Sequence, residues 1–455
     1  MAVAHNLNFD LYLAADHGGH GRKFLRFAVI TLMPLSVLAP VVRLSADFWL
    51  KLELLLLPVI GIIYLWLLLV GVARPIRSNP LFVIAVIFSV CILVSITYGA
   101  QVIGHPVLAR DFFEIAKAVI PVIFFTLALE ADFSESSLRA LAGVMVPALL
   151  LICTYAYGQW LNLGFTTHLQ PLYSGGLHDE GGLSHYRRVY STLSNPNYLA
   201  MLMTWMIAAF TLATLFRVGS RFWNVVILFA SLATLAMTGS RYGLINTTIA
   251  LALIFFLPAT SKPAQRKNRG IFLAGIPLLV GAVVLVSMSN RATLDRVQQL
   301  RNPLQENSLR LRLDGLWKDA GEKFMESPLV GHGPAKVIFG DVITDSEYLD
   351  ILKEFGVIGF LLYLGYFLVP LAMVWGGLRL VGRIGPWLER ERPATYWAMC
   401  LAWIVIITAL VMNVGMSTYY NPSLLAMLWM WMGIGASCAR RCEEFCRTRR
   451  ELSHV

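Results

Sequence analysis

Charged residues are scarce in this sequence, and their scarcity excludes an ordinary soluble protein. Only 14% of the 455 residues are Asp, Glu, Lys or Arg, whereas 57% are hydrophobic. A soluble globular domain carries roughly 25% charged residues. The mean hydropathy of +0.66 reflects the same imbalance. The composition therefore predicts an all-α, polytopic transmembrane helical bundle.

Several functional motifs are also missing. The sequence has no Walker loop, no dinucleotide-binding fingerprint and no zinc motif, so any reaction must draw its energy from the substrate, and no cofactor is expected. The first twenty residues are polar, and we expect no cleavable signal peptide. Cys438, Cys442 and Cys446 recur every four residues, which fits one face of a helix better than a metal site or an acylation site.

Long apolar runs dominate what is present. A transmembrane helix needs about 20 mostly apolar residues. By this criterion the sequence predicts about twelve spans. They lie near 24–41, 49–72, 79–99, 112–129, 139–160, 193–216, 221–238, 241–258, 270–288, 348–376, 395–414 and 419–437.

The distribution of basic residues predicts the topology. A net charge of +10 would suggest nucleic acid binding in a soluble protein, but here the basic residues mark membrane sides, and no nucleic acid partner is expected. Short cytoplasmic loops carry an excess of Lys and Arg. If the N-terminus is cytoplasmic, every cytoplasmic segment except 130–138 is basic. We therefore predict that both termini are cytoplasmic.

This topology places three notable segments on the outer side: the loop 161–192, the turn 238–241 and the long polar segment 289–347. The last of these divides the chain into membrane parts 1–288 and 348–455. Helical periodicity around Trp317 and Phe324 predicts one or two amphipathic helices lying along the outer membrane surface. The alternative is a structured cap with no chemistry of its own.

Outer arginines suggest an anionic ligand, because they oppose the usual charge bias. Arg188 and Arg241 each offer a planar fork that matches a pair of phosphate oxygens, and Arg241 stands at a helix N-terminus. We predict a diphosphate site there, to which the long segment adds Arg310 or Arg312. Alternatively, these arginines contact lipid headgroups or pair with acidic side chains.

Three further side chains are candidates for acid–base chemistry. Asp345 and Glu347 stand at the mouth of the tenth span, where a carboxylate can act as general base towards a sugar hydroxyl. The alternative is that both stabilise the helix N-terminus. His332, in the turn 331–334, is another candidate base, although a loop histidine of this kind is commonly solvated.

The order of these motifs resembles the O-antigen polymerase and O-antigen ligase superfamily. The resemblance rests on Arg188 with 194–197, on 239–241, on 328–334 and on 345–349 with 354–359. It implies a bacterial inner-membrane glycosyltransferase with about a dozen spans and a large periplasmic loop. It also implies an undecaprenyl-diphosphate-linked donor, no metal and inversion of the anomeric centre. Arg188 and Arg241 would bind the diphosphate, and the partners would be membrane lipids, a flippase and a chain-length regulator.

One departure separates the two branches of this superfamily. Ligases typically carry histidine, often followed by asparagine, where this chain has Asp345 and Ser346. Polymerases more often carry an acidic residue there. The resemblance therefore favours a polymerase of O-antigen, capsule or exopolysaccharide, with ligation of glycan to lipid A-core as the alternative. A transporter is the alternative of another class, and it should show broken helices with ionisable residues near the membrane midplane.

Overall fold

A computed structural model describes most of the chain. The described residues are 19–43, 49–73, 75, 79–174, 188–257, part of 270–284, 310–336, 338, 344–384, 391–418 and 421–453. Most of them are helical. The helices are α1 (His20–Leu38), α2 (Leu52–Leu69), α3 (Pro80–Tyr98), α4 (Phe113–Glu130), α5 (Glu135–Trp160), α6 (Gly164–Ser174), α7 (Pro196–Phe216), α8 (Arg221–Thr238), α9 (Arg241–Phe255), α10 (Trp317–Glu326), α11 (Glu347–Ile384), α12 (Pro393–Met412) and α13 (Pro422–Ser453).

The predicted fold class is confirmed. In the described part of the chain, eight helices are long and apolar enough to cross a membrane, and the apolar parts of α2 and α9 are shorter. Eleven of the twelve predicted spans coincide with these ten helices or with α1, and the remaining one, 270–288, lies only partly within the described residues. Two short strands, β1 (Val41–Arg43) and β2 (Trp49–Lys51), pair antiparallel and are the β-structure found in the described residues.

Asparagine and serine caps fix where several helices begin. The Asn79 side chain accepts a hydrogen bond from the backbone of Phe82, and Pro80 follows it in the first turn of α3. Asn195 caps α7 in the same way, again with proline next. Proline suits this position because its missing N–H would have no intrahelical partner. Helix α10 ends at Glu326, and Ser327 follows it as the C-cap in a non-helical conformation.

Helices α7, α12 and α13 form the centre of the bundle, because they are buried on nearly all sides. Helices α2 and α3 instead expose many large apolar side chains. An apolar helix that is hydrophobic all round is either surrounded by protein or faces lipid. The bundle therefore has an inner core of three helices and an outer layer suited to contact lipid.

The helix ends form two groups at opposite ends of the bundle. At one end, Asp132, which follows α4, pairs with Arg22 of α1 and with Arg441 of α13. At the other end, the last turn of α1 accepts a hydrogen bond from Thr192, four residues after Arg188. We refer to these as the Arg441 end and the Arg188 end.

Contacts at the Arg188 end show that the helices alternate in direction. Helices α8 and α12 end there, whereas α7, α9, α11 and α13 begin there. The contacts that join them are Arg188 with Thr238, Asn197 with Ser240, Glu347 with Asn413, and Asn421 with Leu193. These directions match the predicted alternation of spans.

Helix α11 is broken at Gly356, and the segment 328–334 fills the break. Gly356 has φ of 64° and ψ of −167°, which interrupts the helical hydrogen bonds. The backbone N–H of His332 donates to the carbonyl of Lys353 at 3.0 Å, and that of Gly333 donates to the carbonyl of Glu354 at 2.8 Å. In membrane, such freed backbone groups need a partner from the protein. The segment 328–334 supplies that partner through the backbone N–H groups of His332 and Gly333.

Replacing Gly356 by alanine is expected to destabilise the fold by about 2 kcal/mol or more. A Cβ at this position would have φ in the left-handed region and would clash with the carbonyl of Leu329. Thermal unfolding of the purified protein in detergent measures the effect. Gly321→Ala is the matched control, since a Cβ there meets open space within α10 and should leave the melting temperature unchanged or raise it. Equal melting temperatures for the two variants would contradict this account of the break.

Candidate active site

Arg188 is fastened to the junction between α8 and α9. Its Nε donates to the carbonyl of Thr238 at 2.8 Å, and its Nη2 donates to Oδ1 of Asn197 at 2.9 Å. The same Asn197 oxygen accepts a hydrogen bond from Oγ of Ser240 at 2.9 Å. The half-buried guanidinium is therefore held beside the residue that precedes Arg241.

Arg241 is the first residue of α9, and Ser240 caps that helix by accepting from the N–H of Gly243 at 3.2 Å. Arg241 is half-buried. The N-terminus of a helix carries partial positive charge from its aligned peptide dipoles. Arg188, Arg241 and this helix end thus place positive charge within one short stretch of surface.

Arg312 of the long segment reaches the same region through Tyr242. Its Cζ lies 5.5 Å from the centroid of the Tyr242 ring, next to Arg241 in sequence. It also donates from Nε and Nη2 to Oδ2 of Asp345, at 3.1 and 3.0 Å. The structure therefore brings Arg312 and Asp345 to the arginines at the α8–α9 junction.

Arg310 is exposed at the start of the π-helical turn Leu311–Leu316. Within the described ranges, none of the other candidate residues is in polar contact with it. Of the two arginines predicted from the long segment, the geometry favours Arg312.

Glu347 is buried, and both of its carboxylate oxygens are occupied. The side chain is 1% exposed. Oε1 accepts a hydrogen bond from the Tyr363 hydroxyl at 2.5 Å, and Oε2 accepts from Ser417 at 3.1 Å and Thr418 at 3.2 Å. Its backbone N–H donates to the carbonyl of Asn413. This geometry favours a role in joining α11 to the 413–418 turn over direct contact with substrate.

Replacing Glu347 by alanine is expected to destabilise the protein by about 3 kcal/mol, because several buried donors lose their acceptor. Thermal unfolding in detergent measures this loss. Glu347→Gln keeps the shape and one carbonyl acceptor, so its melting temperature should lie between those of the alanine variant and the wild type. A Glu347→Ala protein as stable as the wild type would contradict the structural role.

His332 lies apart from the arginines, near the ends of α3 and α10. It is buried, and its Nε2 lies 2.8 Å from the carbonyl of Lys323. Its Nδ1 lies 3.3 Å from Nε2 of His105, whose pKa is lowered by burial and by the neighbouring His332 ring. Both ring nitrogens of His332 are thus engaged within the protein. The structure supports a role in docking α10 rather than the solvated position considered from the sequence.

Sequence reasoning missed the polar residues around Glu347. Asn413, Ser417, Thr418 and Asn421 are all buried between the end of α12 and the start of α13. The signal available in the sequence was a polar run that interrupts two strongly apolar spans. Its partners could not be identified, because Glu347 is more than sixty residues away along the chain.

A buried charge cluster near the break in α11 was also missed. The Lys336 ammonium lies 3.4 Å from the carboxylates of both Glu114 and Glu354. Burial alone would lower the pKa of Lys336, but the two carboxylates outweigh it and raise the pKa above its ordinary value. The cluster fastens the end of the 328–336 segment to α4 and α11.

Among the residues that the structure describes, no group of three or more His, Cys, Asp or Glu side chains is placed to hold a metal ion. The functional groups brought together at the Arg188 end are guanidinium, carboxylate and hydroxyl groups.

A comparison with protein families gives a match to part of the chain. The family model described as O-antigen ligase matches residues 225–364. The matched region includes Arg241, Arg312, Asp345 and Glu347, whereas Arg188 precedes it. A comparison with curated protein sequences finds no match. The family match supports a membrane enzyme of the glycosyltransferase kind in polysaccharide biosynthesis, and it does not separate polymerases from ligases.

Proposed function

We propose that this membrane protein of the O-antigen polymerase and ligase superfamily is a polymerase of undecaprenyl-diphosphate-linked oligosaccharide repeat units. The observation that carries the proposal is the grouping of Arg188, Arg241, Arg312 and Asp345 at one end of the bundle. Three guanidinium groups beside a helix N-terminus suit a diphosphate. The products would be O-antigen, capsule or exopolysaccharide chains.

The donor diphosphate would bind between Arg188 and Arg241, with Arg312 on the side of the long segment. Guanidinium groups bind phosphate oxygens in bidentate pairs and stabilise the negative charge that develops on a leaving diphosphate. Metal ions are not required for this role when cationic side chains already surround the leaving group. Arg310 is kept as a peripheral candidate because it is exposed on the same segment.

Asp345 is the best placed of the three candidate bases. Its side chain is 48% exposed, whereas Glu347 and His332 are buried and fully engaged. In the proposed reaction, the acceptor hydroxyl oxygen forms a bond to the anomeric carbon of the donor sugar. The bond from that carbon to the phosphate oxygen breaks, its electron pair leaves with the lipid diphosphate, and the hydroxyl proton passes to Asp345. Attack from the side opposite the leaving group inverts the anomeric centre.

Ligation to lipid A-core is the second candidate, because the matching family model is described as O-antigen ligase. Asp345 stands where ligases resembling this chain carry histidine, and this difference favours the polymerase. A transporter is less well supported. The break in α11 is a feature expected of transporters, but residues 332 and 333 already bond the carbonyls freed there.

The proposed setting is the bacterial inner membrane. The Arg188 end would face the periplasm, and the Arg441 end, with both termini, would face the cytoplasm. The arginines of α13 near Arg441 fit the excess of basic residues on that side. A flippase that delivers the lipid-linked unit and a chain-length regulator are the proposed partners.

A reconstitution experiment tests the proposal. The purified protein is mixed with a lipid-linked repeat unit, with and without a lipid A-core acceptor, and the products are separated by size. A ladder formed without the core acceptor is the result expected of a polymerase, and a single transfer that needs the core acceptor indicates a ligase. Failure to turn over any of a range of lipid-linked glycans would exclude both.

A further inference from the structure

Arg312 holds a position between two parts of the candidate site. One face of its guanidinium lies over the Tyr242 ring, beside the proposed diphosphate site. Its Nε and Nη2 both bond to one oxygen of Asp345. The Arg312 side chain is 15% exposed and that of Asp345 is 48% exposed, so the pair is open to solvent on the carboxylate side.

This pairing occupies one of the two oxygens of the carboxylate that the proposed reaction requires. Oδ2 of Asp345 already accepts two hydrogen bonds from Arg312, at 3.1 and 3.0 Å. A sugar hydroxyl that must donate its proton to the same oxygen would compete with both bonds. In the described arrangement, the candidate base and one candidate ligand of the diphosphate are therefore bound to each other.

We propose that Arg312 exchanges Asp345 for the donor diphosphate, so that binding of the donor releases the carboxylate that receives the acceptor proton. The inference rests on the proposed function, since it assigns a role to a residue within the same site. Arg312 is a positioning residue towards Asp345 and a ligand towards the donor. The acceptor would then be activated only when a donor is in place.

Three features make the exchange physically reasonable. Solvent reaches the Asp345 side of the ion pair and screens it, so breaking the pair costs less than breaking a fully buried one. A diphosphate carries more charge than a carboxylate and offers a matching pair of oxygens to the guanidinium. The Tyr242 ring attracts the guanidinium face in either state, which keeps Arg312 close to Arg241 while its hydrogen-bond partner changes.

The local backbone also suits a change of partner. Arg312 lies in the π-helical turn Leu311–Leu316, a conformation found frequently at functional sites. Asp345 has φ of 58°, an uncommon conformation for a residue with a side chain. The Trp317 indole donates to the carbonyl of Thr344 at 3.0 Å, which holds the Asp345 backbone in place while its carboxylate is released.

Thermodynamic linkage gives the exchange a measurable signature. If Arg312 must leave Asp345 to bind the donor, then removing the carboxylate makes Arg312 available at no cost and strengthens donor binding. The gain must depend on Arg312. Simple removal of a nearby negative charge would also favour an anion, but it would do so whether or not Arg312 is present.

A double-mutant cycle on binding of undecaprenyl diphosphate tests this signature. The probe carries no glycan, so the identity of the sugar does not matter. We expect Asp345→Asn to bind the probe about fivefold more tightly than the wild type and Arg312→Ala to bind it more weakly. The double variant should match Arg312→Ala. Asp314→Asn is the control, because Asp314 is an exposed carboxylate of the same turn, and it should leave the affinity unchanged.

Each outcome of the cycle decides a different question. Unchanged or weaker binding by Asp345→Asn would overturn the exchange, and so would an equal gain from that substitution in the Arg312→Ala background. Those results would leave the proposed function intact if the wild type still binds the probe and polymerises lipid-linked units. A wild-type protein that neither binds the probe nor turns over any lipid-linked glycan would exclude the proposed function and the exchange together.

Discussion

Replacing Arg188 or Arg241 by alanine is expected to lower glycan transfer by about a thousandfold or more, because each change removes a cation from the leaving diphosphate. The turnover assay with a lipid-linked repeat unit measures the loss. Arg221→Ala is a matched control. Arg221 and Arg241 are each the first residue of a helix, but α8 begins at the opposite end of the bundle from α9.

Arg188 needs a second variant, because its guanidinium also bonds to Thr238 and Asn197 at the α8–α9 junction. Arg188→Lys keeps the charge but loses the planar fork, so transfer should remain strongly reduced while the fold is less perturbed. Folding is checked by size-exclusion chromatography and thermal unfolding. Wild-type turnover in a folded alanine variant at either position would remove that arginine from the donor site.

Replacing Asp345 by asparagine is expected to lower transfer by about a hundredfold to ten-thousandfold, because asparagine cannot accept the proton of the acceptor hydroxyl. Asparagine has nearly the same shape, and Asp345 is half-exposed, so the fold should be unaffected. Asp319→Asn on the exposed surface of α10 serves as the control for the substitution itself.

Comparison of Asp345→Asn with Glu347→Gln shows which of the two carboxylates acts as the base. If Asp345 is the base, Asp345→Asn should lose transfer at an unchanged melting temperature, whereas Glu347→Gln should lose transfer only in proportion to its loss of stability. Full activity of Asp345→Asn together with inactivity of a stable Glu347→Gln protein would reverse the assignment.

The sequence was sufficient to predict features that depend on neighbouring residues. Apolar run length located the spans, and the predicted span 193–216 agrees with α7 to within a few residues. The position of Arg241 at a helix N-terminus followed from the turn at 238–240. These signals are local, because burial in lipid and helix capping act on residues close together in the chain.

Features that depend on distant partners could not be predicted. The sequence suggested that Glu347 acts as a base or stabilises a helix N-terminus, whereas Ser417 and Thr418 of the 413–418 turn bond its carboxylate. His332 appeared as a loop histidine, whereas Lys323 and His105 engage its ring. In each case a polar group found a partner from another helix, and no local pattern specifies which one.

The filled break in α11 also determines how the protein can be divided. Residues 328–333 complete the backbone hydrogen bonding of a membrane helix, and Ser95 of α3 bonds to the carbonyl of Val330 as well. This stretch therefore belongs to the membrane unit, although it lies within the long polar segment of the sequence. A chimaera that exchanges that segment between relatives should join its parts before Ser327 and keep 327–336 with the recipient's helices.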